Sequence, residues 1–192
     1  MHRLLQDIAS HNITLDQKEQ ELLLSLFEFK SYKAKTIILK EGEICNYIYI
    51  LNKGIIRNYI CDKNNKEYLF RIAAIGNFIS SVKSFLKQTP SDFYIDVLED
   101  AEVMQLSFEN FELLTQGIPK MERYFRILIS DQAIEFADRI KDNLTLTAEE
   151  NYIKFTKKFP NLVNHITQKY IASYIGVTPA FFSRMKAKML KK

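Results

Sequence analysis

Acidic residues are missing from the end of this chain: residues 151–192 carry nine Lys or Arg and no Asp or Glu. The remaining 150 residues carry eighteen basic against twenty-three acidic side chains, so the net charge of +4 is a +9 end on a −5 body. That asymmetry suggests a polyanion partner for the C-terminal part alone. Cysteine is nearly absent too. Cys45 and Cys61 have fifteen residues between them, which fits neither a disulfide framework nor a zinc or iron–sulfur spacing, and both are expected to be reduced thiols. Histidine occurs only at positions 2, 11 and 165, so the middle of the chain lacks the ligands of a metal-dependent β-barrel enzyme. No Ser-His-Asp set, Cys-His pair or phosphate-cradling glycine loop is visible, so no enzymatic activity, metal or cofactor is expected. No apolar run is long enough to span a bilayer, and MHRLLQDIASHN lacks the apolar core of a secretory signal. A cytoplasmic protein without a membrane partner is expected.

What is present has the composition of an ordinary globular protein, 47% hydrophobic and 26% charged, and 192 residues suffice for one large or two small domains. Residues 14–29 have Leu15, Leu22, Leu23, Leu26 and Phe27 at helical spacing, with Thr14 as the candidate cap. From Tyr32 the texture changes to short β-rich runs at 36–39, 47–51, 55–60, 67–73, 93–98 and 103–107. Turn signals at 41–43, 52–54, 62–65 and 75–77 separate them. This pattern predicts an antiparallel sandwich or barrel rather than a parallel sheet.

Helical periodicity returns at Phe108, breaks at Gly117-Ile118-Pro119, and resumes near Lys120 for more than twenty residues without Gly or Pro. Phe125 and Leu128 form one apolar stripe, suited to pack on the β-rich part. Ile127, Ile134, Ala137, Ile140 and Leu144 step around another face, suited to a second copy of the same helix. The alternative is a helix wholly buried within one chain. A further helix is expected over 148–158, capped by Thr147 with Glu149 and Glu150 in its first turn.

Residues 165–192 then read as two short helices across a tight turn. Thr167 is the candidate cap of the first, which carries Tyr170, Ile171, Tyr174 and Ile175 inward and stops at Gly176. Thr178 caps the second, Pro179 opens it, and it runs from Ala180 to Leu190. Ala172 allows the helices to approach, and Ile171, Ile175, Val177, Phe182 and Met185 can close a core between them. This is a helix-turn-helix pattern, with a plain helical hairpin bearing a solvated basic face as the alternative.

The order of parts, carried by Glu41-Gly42-Glu43, Leu51-Asn52-Lys53-Gly54, Gly76-Asn77-Phe78-Ile79 and TQKYIASYIGVTPAFFSRMK at 167–186, resembles the Crp/Fnr family of bacterial transcription regulators along nearly the whole chain. The resemblance implies an α+β protein. An N-terminal antiparallel, jelly-roll-like β-roll effector domain over residues 1–118 precedes a dimerisation helix over 119–145 and an all-α helix-turn-helix domain over 146–192. It further implies a homodimer that reads a palindromic site in double-stranded DNA, answers to a small-molecule effector, and acts with RNA polymerase. A sensory β-roll acting only through protein contacts is the alternative, but leaves the basic end unexplained.

Two regions depart from the family pattern. Where cyclic-nucleotide-binding members carry Gly-Glu-Leu followed by an Arg, this chain has Ser80 and Ser81, and no Arg lies between Ser80 and Asp100. Phe78, Ser80, Ser81, Lys83 and Lys87 are the effector-pocket candidates, but flexible lysines do not replace a guanidinium fork, so cyclic AMP is not expected to bind in the usual mode. The oxygen-sensing branch is not expected either, since no cysteine precedes position 45. In the recognition helix, Ser183 and Arg184 match the family's base-reading pair, with Arg184 suited to a guanine. The early positions are Pro179, Ala180 and Phe181. Ala180 and Phe181 could meet a thymine methyl, with core packing as the alternative for Phe181. Gln168, Lys169 and Thr178, and more weakly Lys186 and Lys188, are the phosphate-contact candidates. The chain ends before the β-hairpin wing found after this helix in many relatives.

Overall fold

In the computed structural model, which describes residues 2–189, the strands expected over 47–51 and 55–60 are one long strand, and those expected over 93–98 and 103–107 are another. In chain order the elements are α1 (His2–Ser10), α2 (Gln17–Leu26), β1 (Glu28–Tyr32), β2 (Ile37–Leu39), β3 (Tyr47–Cys61), β4 (Glu67–Ala73), β5 (Phe78–Ile79), α3 (Val82–Lys87), β6 (Tyr94–Ser107), α4 (Phe108–Gly117), α5 (Lys120–Thr145), α6 (Ala148–Lys158), α7 (Gln168–Tyr174) and α8 (Pro179–Met189). The chain is α+β as expected, with an antiparallel sheet body, a long helix and a helical end.

Asn52-Lys53-Gly54 looked like a turn but is a bulge. The β3–β6 register shifts between Leu51 and Lys53 and again between Lys53 and Ile55. Gly54 has φ +85, and a Cβ there would lie 2.5 Å from the Asp100 carbonyl oxygen. Only glycine permits both the left-handed backbone and the close approach, so the strand bends without ending. Opposite it, the Asp100 carboxylate accepts the Ala34 N–H at 2.9 Å and pairs with Lys33 at 2.8 Å, which holds β6 through the same bend.

The chain divides into two compact units. The first comprises residues up to 60 together with 71–129. Its sheet runs β1-β6-β3-β4, with β2 pairing β6 and β5 pairing β3; β1, β2 and β3 lie antiparallel to β6. The core is formed by inward residues of β3 and β6, including Leu51, Ile56, Ile95, Val97, Met104 and Leu106. Phe85, Phe111 and Phe125 join it edge-to-face, with centroids 5.5 and 4.9 Å apart along the chain of rings.

Three local details differ from the sequence expectation. Helix α2 begins at Gln17 rather than near Thr14, because Asp16 and Glu19 form a reciprocal capping box at 2.9 and 2.8 Å. It stops at Leu26, because residues 28–32 pair with Ala101–Gln105 of β6 as strand β1. Helices α1 and α3 were not anticipated; α1 is fixed by buried Leu4 and Ile8, and α3 is only six residues long.

The second unit comprises residues 61–70, the tip of the β3–β4 hairpin, together with residues from 130 onward. Helix α6 begins as expected, with Thr147 and Glu150 in a capping box.

Candidate nucleic-acid interface and sensor interior

Helix α7 ends in a left-handed turn built by its last residues. Gly176 has φ +78, Val177 N–H donates to Ala172 O at 3.0 Å, and Gly176 N–H donates to Ser173 O at 3.3 Å. These two bonds are the Schellman pairing that satisfies carbonyls at a helix C-terminus. Helix α8 starts two residues later. Thr178 Oγ1 accepts the Phe181 N–H at 3.2 Å, and Pro179 occupies the first helical position. Thr167 stands at the N-cap of α7, but its hydroxyl makes no capping hydrogen bond.

Between the two helices Ile171, Ala172, Ile175, Phe182 and Met185 are buried, and Val177 is half-buried. Tyr170 and Tyr174, expected inward, are only half-buried. Phe182 meets Tyr152 of α6 edge-to-face at 5.1 Å, and Phe155 meets Tyr174 at 5.0 Å. The rotation of α8 about its axis is thereby set. Thr178, Pro179, Ala180, Phe181, Ser183, Arg184 and Lys188 face solvent, Lys186 is half-buried, and Leu190 lies outside the described residues. Gln168 and Lys169 are exposed on α7, where Lys169 Nζ lies 3.2 Å from Glu67 Oε2 of the hairpin tip. The DNA-contact candidates other than Lys186 therefore lie on exposed surface.

The effector-pocket candidates separate. Phe78, Ser80 and Ser81 are buried, whereas Lys83 and Lys87 lie outside, with Lys83 paired to Asp92 at 2.7 Å. The serines bond within the protein. Ser80 Oγ donates to Tyr47 O at 3.0 Å, Ser91 Oγ donates to Ser81 Oγ at 2.9 Å, and the Cys45 N–H donates to Ser84 Oγ at 2.9 Å. Among the residues bounding the hollow against the long helix are Phe78, Ser80, Phe85, Phe125 and Leu128, and it measures only about 20 Å³. That is room for one water molecule and not for a nucleotide.

Sequence reasoning missed three buried polar residues on the strands of this unit. Arg57 donates from Nε and a terminal nitrogen to the two Asp96 oxygens at 2.7 and 2.8 Å, and its guanidinium lies 4.0 Å from the Tyr59 ring centroid. Arg71 donates to Phe78 O at 2.7 Å. Asn58 donates to Ser80 O at 3.0 Å, while its Oδ1 has no hydrogen-bond partner. The available signal was an Arg within otherwise apolar strand runs, IIRNYI and EYLFRIA. Both guanidiniums are already engaged, Arg57 by a carboxylate and Arg71 by a carbonyl.

Among the described residues no group of three or more His, Cys, Asp or Glu could hold a metal ion, and no helix is long and apolar enough to cross a membrane. Cys45 and Cys61 are unbridged.

Residues 29–117 match the cyclic nucleotide-binding domain family. The chain is 23% identical over 190 residues to the anaerobic regulatory protein of Haemophilus influenzae, covering 93% of this chain and 73% of that one. It is 22% identical over 182 residues to the cAMP-activated global transcriptional regulator CRP of Pasteurella multocida, covering 89% and 86%. The solved structure of the c-di-GMP responsive global regulator CLP of Xanthomonas campestris superposes with a TM-score of 0.75 at 12% identity, covering 92% of each chain. The sheet body, long helix and helix-turn-helix end, together with these relatives along nearly the whole chain, make this protein similar to transcription regulators of the Crp/Fnr type.

Proposed function

We propose that this protein regulates transcription as a homodimer that reads a palindromic DNA site, with residues 1–118 as effector domain, 119–145 as dimerisation helix and 146–192 as DNA-reading domain. The observation that carries the reading is α8. Its buried side holds Phe182 and Met185, and its exposed side presents Ser183, Arg184 and Lys188 on a segment with no acidic residue from 151 onward. Such a helix suits a major groove, with Arg184 on base edges and Gln168, Lys169 and Thr178 on phosphates.

Dimerisation through α5 is supported by exposure. Ile134, Ile140 and Leu144 are 59%, 63% and 80% exposed in the single chain, Ala137 is exposed and Ile127 half-buried. A helix buried within one chain would not leave such a stripe in water. A paired helix also supplies the two-fold symmetry that a palindrome requires.

The effector is something other than cyclic AMP held in the family's usual mode. Ser80, Ser81 and Ser91 use their hydroxyls within the chain, no arginine lies between Ser80 and Asp100, and the space beside Ser80 takes one water. Calorimetric titration with cyclic AMP should give no heat of micromolar binding.

The deciding experiment is fluorescence anisotropy with duplexes of random sequence and duplexes enriched from a randomised library, at several salt concentrations. Affinity that falls steeply with salt, with one palindromic site preferred, is expected. Flat, salt-insensitive behaviour would instead favour a module working through protein contacts.

A further inference from the structure

We infer that the first turn of α8 selects the C5-methyl group of thymine, with Phe181 and Ala180 as the contacting side chains. The inference rests on the DNA-reading role proposed above and names what that surface selects.

Two adjacent phenylalanines open this helix and are used in opposite ways. Phe182 is fully buried against Tyr152, whereas Phe181 is 45% exposed, and among the described residues no ring or cation stacks on it. Its place is held by the backbone, since its N–H donates to Thr178 Oγ1. Pro179 and Ala180 beside it are also exposed. Pro179, Ala180 and Phe181 therefore present a surface with no side-chain donor or acceptor, which cannot distinguish base edges by hydrogen bonding. The apolar group that a base offers in the major groove is the thymine methyl, and apolar side chains are its usual contacts.

The surroundings identify the occupant as nucleic acid. Arg184 follows Phe181 by three residues and Lys188 by seven, so all three lie along one side of the helix, and both cations are exposed. An apolar turn flanked by cations on an acid-free segment suits a groove walled by phosphates, with methyls toward the first turn and a purine edge toward Arg184.

The test uses the full chain and a labelled duplex carrying the site enriched from a randomised library. Each thymine is replaced singly by deoxyuridine, which removes the methyl and keeps every hydrogen-bonding group. At one or two thymines per half-site affinity should fall about fourfold, the change expected for withdrawing one buried carbon group. Phe181→Ala should bind the thymine duplex more weakly and lose most of its sensitivity to deoxyuridine at one of those positions. Because Phe181 is exposed, the variant should keep the wild-type melting temperature. Equal binding of thymine and deoxyuridine duplexes by the wild type would overturn the methyl assignment while leaving DNA reading intact. Full retention of thymine discrimination by Phe181→Ala would remove Phe181 from the role. Failure to enrich any site would overturn both readings.

Discussion

The Leu69 backbone N–H donates to Ser173 Oγ at 2.8 Å, joining the hairpin tip to the first helix of the helix-turn-helix across 104 residues of sequence. Arg139 reinforces the junction from α5. Its guanidinium donates to Phe70 O at 2.5 Å and Leu69 O at 3.1 Å, and lies 4.6 Å from the Tyr174 ring centroid. Burial pushes the Arg139 pKa down, with Tyr174 and Glu135 opposing that shift.

Ser173→Ala should leave the buried Leu69 N–H without this acceptor and cost about 1–3 kcal/mol in urea unfolding. Amide exchange at residues 67–70 should quicken more than at β6. Unchanged exchange at the tip would show that Ser173 contributes nothing to holding it.

The Arg57–Asp96 pair is buried, with side-chain exposures of 4% and 13%. Asp96→Ala should destabilise the protein by about 3–5 kcal/mol, because the guanidinium is left uncompensated. The double change Arg57→Met with Asp96→Leu should recover most of that loss. A double variant as unstable as Asp96→Ala would mean that shape, rather than charge, is what the pair supplies.

Ile134→Asp combined with Ile140→Asp should leave the monomer's melting temperature nearly unchanged, since both side chains face water. Light scattering should show a shift from dimer to monomer. Affinity for a palindromic duplex should fall steeply, and a persistent dimer would exclude this face of α5.

Arg184→Ala should lose about 1–3 kcal/mol at one base position and relax specificity there, whereas Lys169→Ala should weaken all sequences alike. Binding arrays of single-base variants distinguish the two outcomes. Equal losses on every sequence from both variants would assign Arg184 to phosphate instead.

Hairpin-tip stability should depend on pH through Asp62. Its carboxylate accepts the Lys66 and Asn64 N–H groups at 3.0 and 2.8 Å, and these bonds hold its pKa below the usual aspartate range. A folded value below the unfolded one stabilises the fold above the unfolded pKa of about 3.9, and that contribution is lost as pH falls through the folded value. Protection of residues 62–66 from exchange should drop in that acid window, and Asp62→Asn should remove the dependence.

Much of the helical end was legible in the sequence because its signals are local. The Thr147–Glu150 capping box, the Gly176 turn and the Thr178-Pro179 start each act within a few residues of chain. The interior of the sheet unit was much less legible. Arg57 and Asp96 lie 39 residues apart, and Cys45 and Ser80 are 35 apart, so nothing local marks either pair. Lys83 was a reasonable pocket candidate by position, yet α3 turns it outward to Asp92.

By itself the sequence determined the class of each region: alternating apolar residues for the body, a long glycine-free run for α5, and a basic end punctuated by helix caps. Only tertiary structure decided that Gly54 bends a strand instead of ending it, that Phe181 faces water while Phe182 is buried, and that Ser80 and Ser81 are held inside the fold by Tyr47 O and Ser91. The physical reason is range. Caps and periodicity are settled within a turn of helix or a few strand residues, whereas burial, register and the partner of a charge depend on residues far along the chain.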